Sequence, residues 1–170
     1  CRLLEVLGGH CGSTALFVNA HHSIGPRAIV LFGTPEQQQR CLPKLASGEW
    51  ISAFALTEPE AGSDAGNLQT TARLEGDEWV VNGQKRFISN GSIADYVQVY
   101  AREPGSKRHE GISLFLVPKD APGFKVTHVE TTTKLGLRAS PTADLAFEDC
   151  RIPKENLIGK KGDGWNQAMR

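Results

Sequence analysis

The sequence predicts an α+β fold in which an N-terminal α-helical segment is followed by an all-β barrel or sandwich, and the chain turns helical again at its end. Three observations support this fold class. Apolar residues recur at helical spacing as far as about Leu45, short apolar runs between Pro, Gly and charged turns begin at Trp50, and a helical pattern returns from Gly162 to Arg170. Because helices repeat about every 3.6 residues and strands every two, the change of period marks a change of structure.

Two helices are expected in the first part of the chain. Apolar residues near helical spacing predict one helix from Arg2 to Ala20, despite the Gly8-Gly9 pair in its interior. The apolar segment from Pro26 to Phe32 predicts a second helix, which Gly33 ends.

A third helix is predicted from its capping residues. Thr34 can accept hydrogen bonds from the first backbone N–H groups, Pro35 stands at the first helical position, and Gln37 lies three residues after the cap. This is the capping-box arrangement, in which cap and third residue satisfy each other's backbone donors. The helix should run to about Leu45.

The all-β region is predicted from short apolar or alternating runs bounded by turn residues. The Gly76-Asp77 pair favours a hairpin between the second and third strands. Many short strands with such turns are typical of a barrel or sandwich. The expected strands are Ile51–Leu56, Leu68–Leu74, Glu78–Val81, Tyr96–Ala101, Ile112–Val117, Lys125–Val129 and Leu145–Phe147.

Composition sets the limits of function. The chain has 170 residues, 39% apolar and 22% charged, which suffices for one good core and parts of a second. Lys plus Arg equals Asp plus Glu at 19 each, so nothing indicates a surface for nucleic acid or an anionic membrane. No apolar run reaches the roughly 20 residues that a membrane span needs.

The chain begins with Cys1, inside an apolar helical pattern, and shows neither a signal peptide nor a transit segment, so it is expected to be a piece of a longer protein. Its cysteines are scattered without zinc spacing, which predicts reduced thiols in a cytosol-like compartment and no metal site. Adjacent His21 and His22 do not share a helix face, so a packing or surface role is favoured for them. The four cysteines are Cys1, Cys11, Cys41 and Cys150.

The first motif that carries chemistry is ALTEPEAGSDAGN, from Ala55 to Asn67, a polar loop that follows a predicted strand. Gly62 and Gly66 would let the backbone approach a ligand or take positive φ, and Ser63 offers a hydroxyl to a phosphate oxygen. The loop is neither a dinucleotide fingerprint nor a P-loop. Taken alone, it fits an ordinary Gly/Pro turn better than a phosphate cradle.

The second motif, NGQKRFISNG from Asn82 to Gly91, changes that balance. Together the two motifs resemble the acyl-CoA dehydrogenase family of flavoproteins. Three further stretches are similar to the same family in the same order, so the resemblance covers nearly the whole chain. They are HSIGPRAIVLFGTPEQQQRCLPKLASGEW, GISLFLVPKDAPGF and KLGLRASPTADLAFEDCRIPKENLIGKKGDGW.

The resemblance implies the end of an N-terminal α-helical domain over residues 1–50, a middle β-barrel domain over 51–160, and the truncated start of a C-terminal helical domain over 161–170. It also implies that the parent enzyme binds FAD, oxidises an acyl-CoA thioester to the trans-2-enoyl product with hydride transfer to flavin N5, and passes electrons to an electron-transfer flavoprotein. A homo-oligomer, dimer or tetramer, is implied. The compartment would be the bacterial cytoplasm or the mitochondrial matrix.

Site residues follow from the resemblance by position. The first flavin segment would run from Phe54 to Ser63, with the Leu56 main chain and Thr57 facing the N1/O2 side of the ring. Gly62 and Ser63 would lie near the pyrophosphate, and Ser63 would also reach the acyl-CoA. No catalytic residue is expected in this chain, because the family's base, a Glu, lies in the C-terminal domain. Glu58 is therefore expected to hold the loop, and Asp64 to accept backbone N–H groups.

The second flavin segment is Phe87, Ile88 and Ser89. A flavin needs a flat apolar wall and hydrogen bonds to its ring. Strand alternation would place the Phe87 ring and the Ser89 hydroxyl on one face and Ile88 on the other. The family commonly has Trp and Thr at the first and third positions, so this departure leaves flavin affinity and redox tuning open. The alternative is that Phe87 is a core residue and Ser89 an edge residue.

Two other function classes stay open at this stage. An acyl-CoA oxidase or a flavin monooxygenase on the same scaffold would use oxygen instead of an electron-transfer protein. A non-catalytic flavin- or acyl-CoA-binding module would need no base at all. The preferred acyl chain length is not determined by this part of the chain.

Overall fold

The computed structural model describes residues 2–130 and 133–170, and it confirms the predicted α+β class. Helices come first and last, and strands occupy the region between them. The helices are α1 (Arg2–His10), α2 (Gly12–Asn19), α3 (Gly25–Phe32), α4 (Pro35–Ser47) and α5 (Gly164–Ala168), with a π-helical turn (Ala20–Ile24) between α2 and α3. The strands are β1 (Ser52–Ala55), β2 (Thr71–Glu75), β3 (Glu78–Ser89), β4 (Tyr96–Arg102), β5 (Ile112–Pro118), β6 (Phe124–Glu130), β7 (Thr142–Pro153) and β8 (Leu157–Ile158).

The capping box predicted at the start of α4 is confirmed. The Gln37 backbone N–H donates to Thr34 Oγ1 at 3.2 Å, and the Thr34 N–H donates to Gln37 Oε1 at 3.0 Å. The helix runs two residues beyond the predicted end and closes at Gly48, whose φ of 76° is left-handed. Such a cap contributes about 1 kcal/mol to helix stability.

The single helix predicted from Arg2 to Ala20 is wrong, because Cys11 interrupts it. Cys11 is extended, with φ −154° and ψ 108°, and its carbonyl accepts the Ala15 N–H at 3.1 Å, as an N-cap residue does. The Gly8-Gly9 pair lies inside α1. A glycine within a helix costs only about 1 kcal/mol, whereas a residue in the extended conformation ends the helix.

All eight strands form one sheet in the order β6-β7-β3-β2-β4-β5-β8, and β1 pairs in parallel with β4. Residues from β1 to β5 and from β7 share a single buried cluster, so the sheet curls around one core. Within the described residues no ladder joins the end strands β6 and β8, and the predicted barrel is therefore open.

Strands β3 and β7 are much longer than predicted and pair with each other in an antiparallel ladder. The ladder shifts register between Val81 and Gly83 and again between Lys85 and Ile88. At Gly83, φ is 148°, and an added Cβ would lie 2.5 Å from Thr70 Oγ1. These bulges break the period-two pattern, which is why sequence alternation failed to extend the strand through the second motif.

The helical segment packs on the outer face of β4 and β5. Along β4, Val97, Val99 and Ala101 face the barrel core, while Tyr100 belongs to a second cluster with buried residues of α3 and α4. This packing fixes β1, which lies beside β4 and leads into the first motif. No helix among the described residues has the length and apolarity to cross a bilayer. The second cluster includes Ile29, Cys41, Leu45, Leu114 and Leu116.

Candidate functional site

The structure brings the two sequence motifs side by side. The loop that leaves β1 lies against the second half of β3, and the Arg86 backbone N–H donates to the Thr57 carbonyl at 2.9 Å. The predicted segments Phe54–Ser63 and Phe87–Ser89 therefore border one region of the surface. That juxtaposition depends on tertiary packing, because 28 positions of chain lie between Thr57 and Arg86, from residue 58 to residue 85.

A buried ion pair joins the two motifs. The Lys85 ammonium lies 2.7 Å from Glu58 Oε1, and the two side chains are 0% and 3% exposed. Lys85 Nζ also donates to the Leu56 carbonyl at 3.1 Å. The Glu58 carboxylate further accepts the Thr70 backbone N–H at 3.0 Å and that of Gln69. Glu58 thus holds the loop, as expected from the sequence, and is not available as a base.

Burial and ion pairing shift the pKa of each of these two groups in opposite directions. Burial lowers the pKa of Lys85 from 10.5 to about 8, and Glu58 offsets only part of that effect. For Glu58, burial alone would raise the pKa, but the Lys85 charge and the hydrogen bonds from Lys85, Thr70 and Gln69 lower it overall. Both groups are therefore ionised at neutral pH.

A pH dependence of stability follows for Lys85. Because its folded pKa of about 8 lies below the ordinary 10.5, the unfolded chain binds more protons between these values, and stability rises with pH across that window. We compare the wild-type protein with a Glu58→Gln/Lys85→Met double variant. The unfolding free energy of the wild type minus that of the variant should increase as pH rises from 8 to 10. Chemical denaturation of both proteins at each pH measures this difference. A constant difference would contradict it.

Phe87 lies in the bulge of β3 and points out of the barrel. Its φ is 58°, its side chain is 57% exposed, and its N–H donates to Asp144 Oδ1 at 3.1 Å. The Arg86 guanidinium stands 4.8 Å from the ring centroid. The bulge separates the strand into two registers, but Phe87 is exposed and Ile88 is buried, as strand alternation predicts. The alternative assignment of Phe87 to the core is wrong, because the ring is exposed.

Ile88 and Ser89 follow the bulge. Ile88 is 2% exposed and packs in the barrel core, so any contact it makes with a cofactor must come from its main chain. Ser89 is half-buried and pairs with Thr142 at the end of the β3–β7 ladder. Thr57 is half-buried as well. The half-buried residues Thr57 and Ser89 thus lie on the two adjoining segments, and the second segment also carries the exposed Phe87 ring.

The loop from Gly62 to Asn67 has only some of the features that the sequence predicts for a phosphate-binding loop. Gly62 and Ser63 are exposed, and a Cβ added at Gly62 would meet nothing within 4 Å. Neither Gly62 nor Gly66 takes positive φ, and a Cβ added at Gly66 would lie 2.6 Å from the ring of the exposed His109, which would have to shift. The Asp64 side chain makes no capping hydrogen bond, so its expected holding role is wrong.

Phe54 lies on the other side of β1 from the barrel core. Its ring centroid is 5.1 Å from that of Tyr100, and both rings line a cavity of about 340 Å³ against α3 and α5. Leu56 packs in the same outer cluster. The Phe54 and Leu56 side chains thus pack toward the helices, whereas the Glu58 side chain packs against Lys85 and the Thr57 carbonyl accepts the Arg86 N–H.

His21 has the packing role favoured by the sequence, with Nε2 3.0 Å from the Leu45 carbonyl and Nδ1 accepting the Ser52 N–H at 3.3 Å. Over residues 2–130 and 133–170, no group of three or more His, Cys, Asp or Glu is placed to hold a metal ion. Sequence reasoning missed Lys85 and Asp144, each of which fixes a backbone or side-chain group of the candidate site.

Comparison with known families gives two matches that together cover most of the chain. Residues 1–49 match the model of the acyl-CoA dehydrogenase N-terminal domain, and residues 53–150 match that of the acyl-CoA dehydrogenase middle domain. The short-chain specific acyl-CoA dehydrogenase of Clostridium acetobutylicum is 47% identical over 98% of this chain and 44% of its own length.

Solved structures agree with these matches. Butyryl-CoA dehydrogenase from Megasphaera elsdenii superposes with a TM-score of 0.93 at 37% identity, over 98% of this chain and 43% of that one. An acyl-CoA dehydrogenase complexed with FAD from Bacillus anthracis gives a TM-score of 0.87 at 43% identity, over 92% and 26%. The chain spans about two-fifths of the length of the curated relatives it matches.

Proposed function

Because the chain belongs to the acyl-CoA dehydrogenase family, we propose that it is the flavin-holding part of an FAD-dependent acyl-CoA dehydrogenase. Residues 1–50 would end an N-terminal helical domain, 51–160 would form the middle barrel domain, and 161–170 would begin a C-terminal helical domain. The full-length enzyme would convert an acyl-CoA thioester to its trans-2-enoyl product. Electrons would leave through an electron-transfer flavoprotein, and the enzyme would be a homo-oligomer.

The observation that carries this proposal is the meeting of the two motifs at one surface region. The second motif carries the exposed Phe87 and the half-buried Ser89, and the first carries the half-buried Thr57, whose carbonyl accepts the Arg86 N–H. An isoalloxazine ring presents a flat apolar face and polar edges, and these groups match both. The FAD complex of the Bacillus anthracis relative supports the choice of cofactor.

Each residue then has a distinct task. Phe87 would supply the apolar wall, and the Ser89 hydroxyl would donate a hydrogen bond to the N5 edge of the ring. Ile88 would contribute its main chain. Thr57 and the Leu56 main chain would face the N1 and O2 edge. Bound FAD would supply the hydride acceptor that the reaction needs.

The exposed Gly62-Ser63 pair would lie near the pyrophosphate, with Ser63 also reaching the acyl-CoA. Open space at Gly62 supports this placement, since a phosphate could approach the backbone there. Phe54 would support the segment from behind through its contact with Tyr100. The base that removes the α-proton would come from the part of the enzyme outside this chain.

Ser89 offers a direct test of the flavin-facing assignment. In the full-length protein, Ser89→Ala should remove one hydrogen bond worth about 0.5–1.5 kcal/mol, which corresponds to a roughly 2- to 12-fold slower reduction of the flavin. The loss should exceed any change in acyl-CoA affinity, because geometry at N5 matters most in hydride transfer. Single-turnover kinetics and the flavin absorbance spectrum measure both effects.

The matched control for this variant is Ser92→Ala, three residues along the chain on the following turn. It should leave the reduction rate and the flavin spectrum unchanged. If Ser89→Ala behaves like this control, Ser89 is an edge residue of the sheet and does not face the flavin.

A further inference from the structure

We propose that the Lys85–Glu58 ion pair is the positioning element of the candidate flavin site, and that it sets the spacing between the Leu56–Glu58 turn and the Phe87–Ser89 segment. This inference rests on the proposed function of the site. Neither residue would touch the flavin. Both would act through the groups beside them, so their loss should affect flavin binding and hydride transfer more than it affects folding.

The contacts that support this are concentrated on three consecutive residues of the loop. Lys85 Nζ donates to the Leu56 carbonyl at 3.1 Å and to Glu58 Oε1 at 2.7 Å. Between them, the Thr57 carbonyl accepts the Arg86 N–H at 2.9 Å. Strand β3 therefore holds each of the three loop residues through a separate hydrogen bond.

The loop is also fixed from its far side. The Glu58 carboxylate accepts the Thr70 N–H, and that of Gln69, just before β2. Its own backbone N–H donates to the Ala61 carbonyl at 2.9 Å, and the Ala61 N–H donates back at 3.2 Å. Glu58 thus joins the turn, β2 and β3 at one point, and rotation of the turn about any single contact is blocked by the others.

Stability alone does not explain a charged pair at this place. Removing two charges from water costs several kcal/mol, and apolar residues of similar volume are often as stabilising or more so. An ion pair with hydrogen bonds differs from apolar packing in direction, because each donor fixes a particular acceptor. Here the acceptors are the Leu56 carbonyl and a carboxylate one residue from Thr57.

The position of the pair explains how a displacement would reach the flavin. Thr57 is adjacent to Glu58 in the chain, and Phe87 lies two residues after Lys85, across the bulge. A shift of the turn would move Thr57 relative to Phe87 and Ser89. A misplacement of about 1 Å can cost roughly 100-fold in rate, so even small changes should be measurable.

The test compares three variants of the full-length protein: Lys85→Met, Glu58→Gln and the double variant. Lys85→Met leaves the Glu58 charge buried without its partner, so it should lower both stability and flavin affinity. The double variant removes both charges at nearly unchanged volume and should regain most of the stability. If the pair positions the site, the double variant should still bind FAD at least about tenfold more weakly and reduce it at least about tenfold more slowly.

Two controls separate positioning from stability. Val81→Ala truncates a fully buried core residue on the same strand and should lower stability without changing the flavin spectrum or the rate of bound flavin reduction. Lys125→Met removes an exposed ion pair with Glu148. It should change neither the folding stability nor the spectrum and reduction rate of the bound flavin. FAD titration, single-turnover reduction and chemical denaturation are measured for every variant.

The outcomes are distinct. Recovery of wild-type FAD affinity and reduction rate in the double variant would overturn the proposal and leave the pair a structural contact. Equal loss of reduction rate in Val81→Ala would overturn it as well. If the wild-type protein itself neither binds FAD nor reduces it with an acyl-CoA, the proposed function fails, and the positioning role fails with it.

Discussion

Mixed anaerobically with a series of acyl-CoA thioesters, the full-length protein is expected to reduce its bound FAD with at least one of them, whereas the 170-residue chain is expected to show no turnover with any. The reason lies in the carboxylates near the candidate site. Glu58 is buried against Lys85 and two backbone N–H groups, and Asp144 accepts the Phe87 N–H. Neither is placed to remove an α-proton, and a general base typically contributes 100- to 10,000-fold or so to such a reaction.

The measurement is reduction of an electron-accepting dye by each protein with FAD and a series of acyl-CoA thioesters supplied. The full-length protein serves as the positive control for substrate and dye. Dye reduction by the 170-residue chain would show that it contains its own base, and the proposal that the base lies outside this chain would then be wrong. Fast reoxidation of the reduced full-length protein by oxygen would favour the oxidase alternative.

Truncation of Phe87 should have the second large effect. In the full-length protein, Phe87→Ala removes the proposed apolar wall, and burial of a Phe side chain is worth about 1.5–3 kcal/mol. We therefore expect the FAD dissociation constant to rise about 10- to 100-fold. Folding stability should change little, because the ring is 57% exposed without the cofactor.

Phe115→Ala is the matched control for this variant. Phe115 is 1% exposed and packs against Trp79 in the barrel core, with ring centroids 5.0 Å apart. Its truncation should cost about 3–5 kcal/mol of stability. A Phe87→Ala protein that unfolds like Phe115→Ala, or one that keeps wild-type FAD affinity, would show that Phe87 does not form the flavin wall.

The sequence predicted a helix boundary correctly where side chains form hydrogen bonds with the free backbone N–H groups at the start of the helix. Thr34 and Gln37 form the capping box that their spacing indicates. The break at Cys11 had no such signal, since cysteine is not a preferred cap and the extended conformation there depends on how α1 and α2 meet. The apolar spacing therefore predicted one continuous helix where the structure has two, α1 and α2.

Seven of the eight strands were predicted in order but not in length, and the two-residue β8 was missed. β3 and β7 pair through two changes of register, and the positive φ of Phe87 belongs to one of them. Alternation does not give the length or the ladder register of a bulged strand, because an extra residue shifts the pairing. Phe87 is nevertheless exposed, Ile88 buried and Ser89 half-buried, which agrees with the predicted division of these three side chains.

The ion pair at the site was only half predicted. Glu58 was expected to hold the loop, and the structure gives it the partners to do so. No role was predicted for Lys85, since a lysine between Gln84 and Arg86 is typical of an exposed strand. Its burial arises because the first motif folds over β3, which is a tertiary contact that neither motif reveals alone.

The most direct test of the flavin site is a crystal structure of the full-length protein with FAD. We expect the isoalloxazine ring to pack against Phe87 and Ser89 Oγ to lie about 3 Å from flavin N5, with Thr57 at the N1 and O2 edge. A flavin bound elsewhere, with Phe87 and Ser89 still open to solvent, would contradict it.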